Sequence, residues 1–372
     1  MSYLEAYLKD LAEIVNFDSG SHNTAGVTHA AEIMKRHFDS IGFTTKLVDL
    51  GPQVGKGLLA TNKPDAKVYD IMFNAHLDTV FPDGEAAKRP MSQVGDHIMG
   101  PGCVDCKSGV MSIFYAIKNA RKEDLDRLAI VVAYNPDEET GSVYSHEWLG
   151  SIAKQCKRAL VCEAARPNGE LVRSRKGTGT WIVKFHGKSA HAGNNPKDGH
   201  SAVLAAAKFT VEVSKLQDLD GKGISVNVGL INGGTASNVI PAECTLKIDT
   251  RRWNEEDGRY VDEAIKALAA QNWGEGITVE AVRESSLPAM PYNESTKELA
   301  GLLTQAAKEV GFETTWVDAG GGSDANHIAL LGTPVIDGVG PAGGAFHCDK
   351  EYLRIDTIEE RTDMMTKFLS LI

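Results

Sequence analysis

Ile71-Met72-Phe73-Asn74-Ala75-His76-Leu77-Asp78 decides the architecture, because a short apolar run of strand character ends on a histidine and an aspartate. Two further apolar runs end the same way. Leu128 to Tyr134 leads into Pro136-Asp137-Glu138-Glu139-Thr140-Gly141, and Arg158 to Cys162 leads onto Glu163. Helical stretches flank and separate these runs: Thr24 to Ile41, with Thr24 near the N-cap and Gly42 just past the end, and Ser108 to Ala120. Short apolar strands separated by helices predict an α/β fold, a mixed sheet covered by helices on both faces.

The rhythm changes between about Lys176 and Arg283. Strand-like Trp181 to Phe185 is followed by a helix from Ser201 to Leu216, strands at Ile224 to Ile231 and Cys244 to Ile248, a helix from Glu255 to Ala270, and a strand from Ile277 to Val282. That β-α-β-β-α-β order is a ferredoxin-like split βαβ sandwich, a small domain complete in itself. After Pro288 the first rhythm returns, with a helix from Ser295 to Val310, the turn Gly320-Gly321-Gly322, strand-like Pro334 to Asp337 and a last helix from Thr357. A discontinuous large domain, residues 1–175 and 287–372, is therefore expected to carry an inserted domain of residues 176–286.

The bulk properties agree with two domains. A chain of 372 residues with 42% hydrophobic content buries more than one ordinary core. The net charge is −11 and no Lys/Arg stripe is present, which argues against nucleic acid and anionic membrane as partners. Met1 to Phe17 reads as an amphipathic helix and not as a signal peptide. No apolar stretch approaches the roughly 20 residues that span a bilayer. The six cysteines show no framework spacing, so a reducing, cytoplasmic setting is expected. Cys103 and Cys106 form a C-x-x-C, but no second pair exists to complete a zinc knuckle, and packing beneath a loop explains them better than redox chemistry.

The residues at the strand ends are of the types needed to hold two divalent metals around a shared water. His76 and Asp78 lie on the same side of an extended chain, so Asp78 or its carbonyl can orient the imidazole. The Gly-rich approach Gly100-Pro101-Gly102-Cys103-Val104-Asp105 presents a carboxylate whose two oxygens suit a bridge. Glu138 and Glu139 are adjacent and point differently, so one can ligate while the other moves protons. Glu163 ends a hydrophobic strand, where metal pairing removes the cost of burying a carboxylate. His347 follows a Gly-rich loop.

Taken together these residues resemble the co-catalytic di-zinc hydrolase family that includes glutamate carboxypeptidase, aminoacylase, acetylornithine deacetylase and succinyl-diaminopimelate desuccinylase. Gly187-Lys188-Ser189-Ala190-His191-Ala192-Gly193, Ser237-Asn238-Val239-Ile240-Pro241, Gly320-Gly321-Gly322-Ser323-Asp324-Ala325 and His347-Cys348-Asp349-Lys350-Glu351-Tyr352 look most like its bacterial glutamate carboxypeptidase branch. The resemblance implies one Zn2+ on His76 and Glu163 and a second on Glu139 and His347, with Asp105 bridging; Co2+ or Mn2+ can substitute. It also implies Glu138 as general base, a cis peptide between Asp105 and Cys106, and Arg251, Asn238, Gly321, Gly322 and Ser323 around the substrate. The inserted domain becomes a dimerisation lid whose His191 serves the partner subunit of a homodimer.

Cys106, Ser108 and Phe81 depart from the family pattern beside the ligands and not at them, so they bear on substrate fit. Glutamate at position 163 is what the acylase and carboxypeptidase members carry, which points to cleavage of an amide beside a free carboxylate, in a small peptide or an N-acyl amino acid. The alternatives are a di- or tripeptidase that recognises a free amine, a non-catalytic binding member that would have lost Glu138 or a ligand, and a C-x-x-C oxidoreductase.

Overall fold

The computed structural model describes residues 2–372. They divide into two compact units, one running to Ser174 and resuming over Tyr292–Ala319 and Ser323–Ile372, the other formed by Arg175–Pro291 with Gly320–Gly322.

The large unit is built on a six-stranded mixed sheet in the order Thr44–Val48, Gly57–Thr61, Ile130–Asn135, Ile71–His76, Ala159–Val161 and Val335–Ile336. The last four strands run parallel, and the first two complete one edge through antiparallel pairings. Every residue of Ile71–His76 and Ile130–Asn135 is buried, as expected of parallel strands covered on both faces, which read as continuous apolar runs. The helix Ser108–Lys118 is buried at each position from Ser108 to Ile117 and lies inside the core. Leu4–Val15 buries Tyr7, Leu11, Ile14 and Val15, one face of a 3.6-residue period. The helix expected from Thr24 does begin there, but its N-cap is Asn23, whose side chain accepts from Gly26 N at 2.8 Å. It ends at Ser40, before Gly42 at φ +82°.

The small unit has a four-stranded antiparallel sheet in the order Ser225–Gly233, Glu243–Arg252, Gly177–His186 and Thr278–Leu287. With the helices Ala202–Ser214 and Glu255–Ala269 this is the β-α-β-β-α-β sandwich anticipated from the sequence. Alternate residues of the central strand, Trp181, Val183 and Phe185, are buried with Phe209, Leu246, Ile248 and Ile265 in a core of the unit's own. Ser225–Gly233 is an edge strand and leaves Leu230 and Ile231 exposed.

The six cysteines are free, and Cys103 and Cys106 are buried in the large core. No described helix is long and apolar enough to cross a membrane.

Candidate metal centre

Three parallel strands deliver their carboxyl ends to one place, where α/β sheets ordinarily form their sites. Ile71–His76 ends on His76, Ile130–Asn135 leads into the 3-10 turn Glu138–Thr140, and Ala159–Val161 leads to Glu163. A fourth contribution comes from the irregular turn Cys103–Lys107, where the Asp105–Cys106 peptide is cis as the resemblance implied. His347 enters from a loop with φ +61°, a left-handed conformation uncommon for a residue with a side chain.

Asp105 lies between the two histidines. Its Oδ1 lies 3.4 Å from His76 Nε2, which is itself 3.7 Å from Glu163 Oε2. Its Oδ2 lies 3.1 Å from His347 Nε2, which is 3.3 Å from Glu139 Oε2. Each oxygen thus faces one imidazole and, beyond it, one further carboxylate. Two triads offer donor atoms within 4.8 Å of one another, His76 with Cys106 and Glu163, and His76 with Asp105 and Glu139, so His76 belongs to both. Asp78 holds the His76 ring, because its carbonyl oxygen is 3.0 Å from Nδ1. The Asp78 carboxylate accepts from Ser21 Oγ at 2.6 Å and from the amides of Glu138 and Glu139 at 3.1 and 3.2 Å, which ties the glutamate turn to the His76 strand.

The electrostatics show a site short of positive charge. Burial and the neighbouring Glu163 push the Glu138 carboxyl well above the usual carboxylate range, and burial pushes Glu139 up to about 8. Burial would raise Asp105 too, but hydrogen bonds from His347 and His76 outweigh it and hold that carboxyl below its ordinary range. The bond to Asp105 carries His347 up to about 9. Burial opposes protonation of His76, yet Cys106, Glu163, Asp105 and Asp78 together raise it well above the ordinary imidazole value. Glu163 Oε1 is buried with no hydrogen-bond partner. A buried surplus of carboxylates, one with an orphaned oxygen, fits divalent cations and their O/N donor chemistry.

Sequence reasoning gave no role to two further residues that support this arrangement. Asp324 is buried, accepts from Asn135 Nδ2 at 2.7 Å and from the Ser142 hydroxyl, and so braces the segment that carries Glu138 and Glu139. Burial, with Glu163 nearby, pushes it up to about 7. Glu351 accepts from the amides of Gly102, Val104 and Asp105 at 2.9, 3.0 and 3.2 Å and fixes the turn that presents Asp105. Both lie in stretches already singled out, yet nothing in an isolated Asp or Glu announces a partner far away along the chain.

Of the substrate residues expected from the resemblance, Arg251, Asn238, Gly321 and Gly322 belong to the small unit. The Arg251 guanidinium is gripped by Asp249 at 2.8 and 2.9 Å, with Gly320 O at 3.5 Å. Ser323 belongs to the large unit. Its hydroxyl donates to the buried Asp337 and caps the helix Asp324–Ala329 by accepting from Ala325 N at 3.2 Å. His191 is exposed in the two-residue strand Ala190–His191, paired with Val239–Ile240. Its Nδ1 accepts from the amides of Gly193 and Asn194 at 3.1 and 3.0 Å, which leaves Nε2 as the ring's outer nitrogen.

The sequence model of Peptidase family M20/M25/M40 matches residues 72–371. Carboxypeptidase G2 of Pseudomonas sp. (strain RS-16) is 30% identical over 370 residues, spanning 98% of this chain and 88% of that protein. Succinyl-diaminopimelate desuccinylase of Thioalkalivibrio sulfidiphilus is 26% identical over 319 residues, 80% of this chain and 82% of that protein. Among solved structures, a tripeptidase from Staphylococcus aureus superposes with a TM-score of 0.81 at 21% identity, covering 99% of this chain and 98% of that one, a likeness of fold.

Proposed function

The chain belongs to peptidase family M20/M25/M40 and is a metallohydrolase; from that premise we propose that it is a two-zinc amidohydrolase that cleaves an amide or peptide bond beside a free carboxylate. Its substrates are then small peptides of the glutamate-carboxypeptidase type or N-acyl amino acids. The observation that carries the reading is the placement of Asp105, with one carboxylate oxygen toward His76 and the other toward His347. On this reading His76 and Glu163 would hold one ion and Glu139 and His347 the other, with Asp105 shared between them; Co2+ or Mn2+ could replace Zn2+. Ions held there would supply Lewis acidity to a carbonyl and to an attacking water.

Glu138 is assigned to proton transfer. It takes the water's proton and returns it to the leaving amine, and the upward push of burial on its carboxyl suits a group that must do both near neutral pH. Asp78 fixes the His76 ring and the Glu138 backbone together. Arg251, with Asn238, Gly321 and Gly322, is assigned to the substrate carboxylate, for which a planar guanidinium is suited. The incoming carboxylate then displaces Asp249 from Arg251. His191 is assigned to the oxyanion of a partner subunit's reaction, which requires a homodimer through the small unit. The exposed edge strand with Leu230 and Ile231 supports such a pairing, since free apolar edges are otherwise protected.

A hydrolysis screen of the zinc-loaded protein tests the function. N-acyl amino acids and pteroyl-glutamate-like compounds should be cleaved, whereas cleavage confined to peptides with a free amine would replace this reading by an amine-recognising di- or tripeptidase.

A further inference from the structure

Cys106 is one of the positions at which this chain departs from the family pattern, and no step of the hydrolytic reading uses it. Its side chain is fully buried in the large unit. The thiol lies against the backbone of His76, accepting from His76 N at 3.2 Å and donating to His76 O at 3.5 Å. A sulfur thus stands beside ligands that otherwise offer nitrogen and oxygen. His76, Cys106 and Glu163 each bring a donor atom within 4.8 Å of the other two, near enough for one cation to draw them together.

A second observation marks the same place. Glu163 is only 8% exposed, and its Oε1 is buried with no hydrogen-bond partner. An orphaned carboxylate oxygen in a core carries a cost that a bound cation removes. The other oxygen, Oε2, stands 3.7 Å from His76 Nε2, the ring nitrogen left for a cation once Asp78 O has taken Nδ1 at 3.0 Å. The way in is on the side of His347, whose side chain is 55% exposed and reaches Asp105 Oδ2 at 3.1 Å.

The two triads that meet at His76 differ in kind. One is nitrogen with two carboxylates, from Asp105 and Glu139; the other is nitrogen, sulfur and one carboxylate. A thiolate donor shifts preference toward soft cations, which bind carboxylate oxygen weakly. One imidazole nitrogen holds one ion, so an ion in the sulfur triad takes both His76 and Glu163 from the first zinc position.

We propose that His76, Cys106 and Glu163 form a site for a soft, thiophilic divalent cation, of which Cd2+ is the probe, and that its occupation excludes the first zinc ion. The exclusion rests on the two-zinc reading, whereas the site itself does not. On binding, the Cys106 S–H bond breaks, the sulfur lone pair forms the bond to the ion, and the proton passes to solvent. The thiolate keeps the hydrogen bond from His76 N and gives up the one to His76 O.

The experiment titrates the metal-free and the zinc-loaded full chain with Cd2+ in thiol-free buffer. A sulfur-to-cadmium charge-transfer band in the ultraviolet should saturate at about one equivalent per chain, and elemental analysis of the zinc-loaded sample should show about one zinc displaced. Cys106→Ser should lose the band and bind Cd2+ about tenfold or more weakly, the scale on which metal sites respond to a lost supporting group. Cys348→Ser, which removes the thiol beside His347, should keep the band. Cadmium NMR of the unaltered protein reads sulfur ligation without any variant. No band at saturating Cd2+, a resonance typical of oxygen and nitrogen ligands alone, or a band that survives in folded Cys106→Ser would overturn the site. Sulfur-bound cadmium with both zinc ions retained would overturn the exclusion. Sulfur-bound cadmium in a chain that never takes up zinc would remove the two-zinc reading and leave this site standing.

Discussion

Loading the metal-free protein with Zn2+ at pH 7 should expel about two to three protons per chain, because the groups that must become ligands hold protons at that pH. With His347 at about 9 and Glu139 at about 8, the protonated forms outweigh the others by about 100 to 1 and 10 to 1 at pH 7. His76, raised well above its ordinary value, is the third source. The three share their protons with Asp105 and Glu163, so the number belongs to the cluster. Each proton released makes the apparent Kd about tenfold weaker per pH unit of acidification. Zinc affinity should thus fall by about 100- to 1000-fold between pH 7 and pH 6.

The sign for stability follows from the same shifts. His347 and Glu139 have folded values above their ordinary 6.5 and 4.5, so their contribution to the metal-free fold is complete below those ordinary values. It is lost as pH rises through about 9 and about 8. Asp105 is shifted the other way, and its contribution is lost only in strong acid. Zinc should therefore raise Tm more at pH 8 than at pH 6. Isothermal titration calorimetry at pH 7 in buffers of different ionisation enthalpy reads the proton number as a slope. A slope near zero would refute the assignment of His76, Glu139 and His347 as ligands.

The other expectations are as direct. Glu138→Gln should keep its metals and lose at least ~100-fold in kcat, whereas Glu139→Gln should weaken one metal; elemental analysis beside kinetics separates them, and like behaviour of the two would break the division of roles. Asp324→Ala strands Asn135 and Ser142, and should cost about 1–3 kcal/mol in denaturant unfolding together with part of the metal occupancy; an unchanged midpoint with full occupancy would show that Asp324 braces nothing. Mixing inactive Glu138→Gln subunits with inactive His191→Ala subunits should restore part of the activity, since one site of a mixed dimer has both groups, and no recovery after proven subunit exchange would count against His191 acting across a dimer.

What could be read from the chain was what is written locally. The split βαβ unit was legible because Trp181, Val183 and Phe185 alternate inward along one strand while the two helices carry an apolar face. Glu163 was legible because a carboxylate closing an apolar strand is costly without a purpose, whereas His76 and the Glu138–Glu139 pair pointed to a site only in company with the other motifs. The supports were not legible, since each depends on distant parts of the chain meeting. Asp324 reaches Ser142 across 182 positions and Glu351 reaches Gly102 across 249. The cap at Ser323 was hidden for another reason: a serine after a glycine run serves a turn, a ligand or a helix N-terminus equally well, and only the burial of Asp337 beneath it decides.

The claim on which the rest depends is that two ions complete the site. Metal-free protein titrated with Zn2+, with elemental analysis of each washed sample and hydrolysis of an N-acyl-glutamate followed in parallel, tests it most directly. The account predicts saturation at about two ions per chain, with activity absent before loading and restored by it. Full activity in protein shown to be free of metal would contradict it.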